Sequence, residues 1–109
     1  MKYLTRNDEI ILLAILRLKD LASLLNLRDN LNQKSRKKWS IGNLFVSLEK
    51  LEEFGLITSQ VGKPTQKQGG KGIKFFMVSK LGIKALREIK TVQEEIWDGL
   101  TELVFNKPG

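Results

Sequence analysis

The chain has 109 residues, 19 Lys and Arg against 12 Asp and Glu, a formal net charge of +7, and neither cysteine nor histidine. Such a length suits one domain that buries very roughly 65% of the surface its unfolded form exposes. The missing side chains exclude disulfides, thiol nucleophiles, histidine bases and the common zinc sites, so neither an enzyme nor a metal or cofactor protein is expected.

Thr5 followed by Asp8 resembles a capping box with the shorter acid, and predicts a first helix over about 6–18. Its apolar residues wrap most of the circumference, so burial on more than one side is expected. The longest apolar run, Ile10 to Leu16, lies within it and is far short of the roughly 20 residues of a membrane span. A cytoplasmic protein with no membrane partner is expected. Asp20 is the expected cap of a second helix over about 21–33, with Leu24, Leu27 and Leu31 as its buried stripe and Leu25 beside it. A basic link follows, containing Lys34, Arg36, Lys37 and Lys38.

Ser40 predicts the start of a third helix, 40–54, and Gly55 its end in the left-handed conformation that a side chain would penalise. Ile41, Leu44, Leu48 and Leu51 recur on one stripe that should be buried. The other face carries Gly42, Asn43, Val46 and Ser47 in its first turns, behind the basic link, and Glu49, Glu52 and Glu53 in its last. An end so small and so flanked by cations can enter a groove of phosphates, while the acidic end stays out. Trp39, at the entrance, reads as a packing residue.

After Gly55 the period drops to two. Ile57, Ser59 and Val61 alternate with Thr58 and Gln60, and Lys74, Phe76 and Val78 alternate with Ile73, Phe75 and Met77, so two strands flank GKPTQKQGGKG. This hairpin tip holds Lys63, Lys67 and Lys71, with Lys74 just beyond, and no acid occurs between Phe54 and Arg87. Its glycines lack the spacing and the hydroxyl of a P-loop.

Ser79 is the expected cap of a last helix running to Phe105, about 39 Å long. On it Leu86, Ile89, Gln93, Ile96, Leu100 and Leu103 follow one another at alternating steps of three and four, a heptad seam with one polar member. A helix of this length would overhang so small a body. The seam is expected to meet a second copy, with folding back onto the first helix as the alternative. Trp97 lies beside Ile96, at or near that interface.

Charge is unevenly spread. Residues 1–29 hold five Lys/Arg against four Asp/Glu, residues 30–87 twelve against three, and residues 88–109 two against five. The concentrated basic middle suits a polyanion such as nucleic acid, with a merely lysine-rich surface as the alternative. Carboxylate pairs such as Glu52 with Glu53 and Glu94 with Glu95 are helix neighbours that splay apart, which does not suit paired acid and base chemistry.

Three blocks carry a resemblance to a known family. LTRNDEIILLAILRL is similar to its first helix. SIGNLFVSLEKLEEFGLI is similar to its recognition helix at Ser40, Gly42, Leu48, Leu51, Glu52, Gly55 and Leu56. GGKGIKFFMVSKLGIKAL is similar to its wing and last helix at Phe76, Ser79, Gly82 and Leu86. Over nearly its whole length the chain resembles the PadR family of bacterial transcriptional regulators. Two features depart from the pattern: Phe45 stands where a tyrosine is usual, and LASLLNL lacks the glycine that usually opens helix two.

The resemblance implies a mainly α protein with a small antiparallel β-hairpin, a winged helix-turn-helix over 1–79 and a dimerisation helix and tail over 80–109. It implies a homodimeric regulator of transcription, with repression the expected direction, that sets helix 40–54 in the major groove of double-stranded DNA and the wing, 62–74, on the backbone or minor groove. Lys37, Lys38, Lys63, Lys67, Lys71 and Lys74 are then expected on phosphates, with Ser40 at the helix entrance. Gly42, Asn43 and Ser47 are expected at base edges, where an amide can make two bonds to adenine. Some relatives hold flat, apolar effectors against interface aromatics, which makes Trp97 a candidate effector contact. Two other classes stay open, a winged helix that binds structured RNA and a protein-interaction module.

Overall fold

The computed structural model describes residues 4–62 and 72–106. Helix α1 spans Arg6–Leu18 and begins at the expected box: the Asp8 amide donates to Thr5 Oγ1 at 3.1 Å, and the Thr5 amide to Asp8 Oδ2 at 3.0 Å. Its Ile11, Leu12, Ala14 and Ile15 are buried, whereas Leu13 and Leu16 stay exposed, so its apolar circumference is only partly covered within the chain.

The second helix differs from expectation. Asp20 lies in a 3₁₀ turn, Lys19–Leu21, and helix α2 is Leu24–Lys34, capped by Ser23, whose Oγ accepts from the Asn26 amide at 3.2 Å. The reason is tertiary. Ala22 and Ser23 run extended against the hairpin, with the Phe76 amide donating to the Ala22 carbonyl at 2.9 Å and Ser23 bridged antiparallel to Phe75. A helix starting at 21 would forfeit that pairing. Leu27 and Leu31 are buried, Leu24 is half-buried against the core, and Leu25 projects outward.

Helix α3, Ile41–Glu53, buries Leu44, Leu48 and Leu51, and Gly55 terminates it at φ +78°. Strands β1, Ile57–Val61, and β2, Lys74–Val78, pair antiparallel with Ile57 opposite Val78 and Val61 opposite Lys74. Ile57 and Phe76 point into the core formed with α1, α2 and α3, and Trp39 joins it at 6% exposure, the packing role expected of it.

Helix α4, Lys80–Trp97, starts at Ser79 and lays its first turns on this core through Gly82 and Ala85. The expected single helix to Phe105 is interrupted. It stops at Asp98, Gly99 takes φ +77°, and a short helix α5 covers Thr101–Phe105. The left-handed glycine turns the chain, and Leu100 and Leu103 therefore leave the row defined by Leu86, Ile89, Gln93 and Ile96. Among the described residues no helix is long and apolar enough to cross a membrane.

Candidate nucleic-acid interface

The entrance to α3 is built by two short side chains. Ser35 Oγ accepts from the Trp39 indole at 2.8 Å and donates to the Leu31 carbonyl at 2.8 Å, while Asn32 Oδ1 accepts from the Trp39 amide at 2.7 Å. With Trp39 drawn into the core and the end of α2 tied to it, the residues between have no room inside. Arg36, Lys37 and Lys38 are all exposed and border a shallow depression with Asn32 and Ser35. Lys37 Nζ lies 5.0 Å from the Trp39 ring centroid, a cation–π approach that steadies one of these cations. The positive end of α3 opens beside them, which adds to the same electrostatic sign.

On α3 itself Ser40 is occupied as the cap, its Oγ accepting from the Asn43 amide at 3.2 Å, so its remaining polar capacity towards a phosphate is a hydroxyl proton. Of the residues expected at base edges Gly42 and Asn43 are exposed and Ser47 is half-buried, and Val46 beside them is exposed. A Cβ placed on Gly42 would meet nothing within 4 Å.

Glu52 departs from the expectation that the acidic end merely stays out. Its carboxylate accepts from Ser59 Oγ of β1 at 2.6 Å and lies 4.0 Å from Lys74 Nζ of β2, which fastens α3 to the hairpin. Lys74 therefore has a partner inside the chain, but an exposed ion pair of this length contributes little and leaves the ammonium free to turn to a phosphate. Phe45, Ile73 and Lys74 share the wall of one depression of about 220 Å³ with Leu24 and Leu25, so the middle of α3 and the base of the hairpin face the same side. Lys63, Lys67 and Lys71 lie outside the described residues. Lys50 is directed away from this surface, its Nζ 3.8 Å from the buried carboxylate of Asp8 on α1. The sequence carries little signal for Ser35, a polar residue in a polar link, or for Glu52, whose partner Ser59 lies in another element.

The expected dimer seam is divided. Leu86 packs against the core, Ile89 is half-buried, and Gln93 Nε2 donates to Glu9 Oε2 of α1 at 3.4 Å, so this part is shared with the chain's own body. Beyond it Ile96 is 66% and Leu103 69% exposed, and Leu100 is also exposed. Trp97 stacks on Phe105 with ring centroids 6.0 Å apart and planes 18° from parallel. Among the described residues no group of three or more acidic side chains could hold a metal.

This arrangement of three helices, a hairpin tied to the third and a projecting fourth recurs in solved structures. A PadR-family transcriptional regulator from Eggerthella lenta superposes with a TM-score of 0.67 at 22% identity, covering 92% of this chain and 85% of the other. A PadR-like transcription factor from Bacteroides fragilis gives 0.69 at 20% identity, covering 89% and 88%. The chain has the fold of the PadR regulators. A third PadR-family structure, from Clostridium difficile, matches at 0.65 and 20% identity, covering 89% of this chain and 96% of that one. No family model matches the sequence, and no curated protein does. The helical part of this fold before the hairpin is α1, α2 and α3 here, and the hairpin is β1 with β2.

Proposed function

We propose that this PadR-like chain is a sequence-specific double-stranded DNA-binding regulator of transcription, a repressor acting as a homodimer. Helix α3 enters the major groove, and the hairpin follows the adjacent backbone or minor groove. The observation that carries the reading is the exposed front of α3, which the exposed run Arg36, Lys37 and Lys38 closely precedes and whose Phe45 shares a depression with Ile73 and Lys74 at the base of the hairpin. Lys37, Lys38, Lys63, Lys67, Lys71 and Lys74 engage phosphates, and Gly42, Asn43 and Ser47 meet base edges. The tail from Ile96 onward pairs with that of a second copy.

Titration of the purified protein with its own upstream DNA and a scrambled duplex, at several salt concentrations, tests this. Tighter binding to the upstream duplex, weakening steeply with salt, is expected. Equal affinity for duplex RNA would favour a shape-reading RNA binder instead. A partner protein retained after reversal of the lysine charges would favour an interaction module.

The stacked Trp97 and Phe105 also support an effector site for flat, apolar molecules at the tail. Such compounds should quench tryptophan emission in the wild type and in Trp39→Ala but not in Trp97→Ala. No quenching across a broad panel of flat aromatics would rule the site out.

A further inference from the structure

Val46 is 63% exposed at the middle of α3 and has no place in the core. Leu44 and Leu48, two residues to either side, are buried, and each stands about 200° around the helix from it, so Val46 marks the outermost line of the recognition surface. A β-branched residue is a poor choice for a solvated helix position, because its χ1 freedom is lost with no packing gained in return. One turn earlier on the same line stands Gly42, where a side chain would have open space, yet none is present. The pair lets the helix approach closely at its first turn and presents two methyl groups at its second. Apolar surface continues towards the wing through Phe45, 47% exposed, and Leu25, 58% exposed.

Resting on the DNA-binding reading above, we infer that Val46 is a specificity-determining residue that reads the C5-methyl group of thymine. Exposed Arg36, Lys37 and Lys38 closely precede the start of α3, and Lys74 lines the depression that Phe45 borders, so cations stand at either end of this apolar surface, the charge pattern of a surface held by phosphates at its edges and facing bases at its centre. In the major groove the bases present donors, acceptors and one apolar group, the thymine methyl. Asn43, a neighbour of Val46 one turn back, supplies polar contact to an adjoining base, so the two side chains together distinguish a thymine from a cytosine beside an adenine.

The test uses duplexes that the full-length protein selects from a randomised library, remade with deoxyuridine in place of each thymine in turn. That exchange removes one methyl group and leaves every hydrogen-bonding group unchanged. At one symmetric position per half-site the wild type should lose about fourfold in affinity per methyl removed, the worth of one buried methyl group. Val46→Ala, which should favour the helix, is expected to fold and to bind thymine and uracil duplexes alike. Sequence-selective binding with no sensitivity to uracil at any position overturns the inference while leaving the regulator intact. Thymine preference that survives in Val46→Ala also overturns it, because another side chain then holds the methyl. Failure to select any sequence from the library overturns the DNA-binding reading itself.

Discussion

A methyl group added at Gly82 would overlap the Leu56 carbonyl oxygen and come within 2.6 Å of Val78 Cγ1, whereas one added at Gly42 would meet nothing. Gly82 is therefore required by packing, since α4 can lie against the β1 and β2 ends only where it has no side chain. Gly82→Ala should destabilise the fold by about 1–3 kcal/mol, the usual cost of overpacking, read from the urea midpoint. Gly42→Ala should leave stability unchanged or raise it by up to about 1 kcal/mol, because alanine favours a helix, yet weaken DNA binding by holding the helix off the groove. Equal loss of stability in both variants would remove the case for an outside partner at Gly42. For the wing, Lys67→Glu with Lys71→Glu should weaken every DNA sequence alike, and loss confined to one operator would contradict a phosphate role. Side chains whose work is local were legible in the sequence. Thr5 and Ser40 cap the helices they precede, Asp8 returns the bond to Thr5 from inside the first of them, and Trp39 packs. Glu52 was not, because its bond to Ser59 crosses from helix to strand and leaves no spacing to read.

Helix α4 starts where α3 and the hairpin meet, and one hydroxyl joins them. Ser79 Oγ accepts from the Gly82 amide at 3.1 Å and donates to the Gly55 carbonyl at 2.6 Å, so the cap of one helix also satisfies the turn that ends another. Ser79→Ala should cost about 1–2 kcal/mol, at the upper end for a lost cap, because the Gly55 carbonyl loses its donor as well. A midpoint in urea within error of the wild type would mean that water replaces both bonds. Helices α1 and α3 and both strands follow from hydrophobic period and capping residues close to them in sequence. The start of α2 does not, since Asp20 and Ser23 are both competent caps and only the pairing of Ala22 and Ser23 with β2 decides between them. The break between α4 and α5 was hidden for another reason. The apolar spacing runs unbroken from Ile96 to Leu100 and Leu103, while the helix is stopped by Gly99, one residue that the heptad pattern does not weigh.

The molecule measures 58 × 34 × 21 Å, a long axis that a small body with a projecting arm explains. Along that arm Ile96, Leu103 and Phe105 are 66%, 69% and 72% exposed, more apolar surface than the end of an isolated helix ordinarily leaves in water. The sequence shows which face of the tail is apolar, but the same spacing serves a neighbouring helix in the chain or one in a second copy. Gln93 divides the two, for its bond to Glu9 claims the near half for the body and leaves the far half uncovered. If a second copy covers it, a mass twice the chain's 12.4 kDa is expected in solution. Ile96→Glu with Leu103→Glu should then return the single-chain mass without lowering the thermal midpoint of the body, because neither residue belongs to its core. The same variant makes a second, independent readout possible. With about five phosphates engaged per protomer, log affinity against log salt should fall with a slope near −9 for a dimer on DNA and about half that for a lone subunit. A variant that separates into single chains and keeps the full slope would show that one body carries all the phosphate contacts. A variant that stays paired would place the contact between copies elsewhere on the surface, away from the tail.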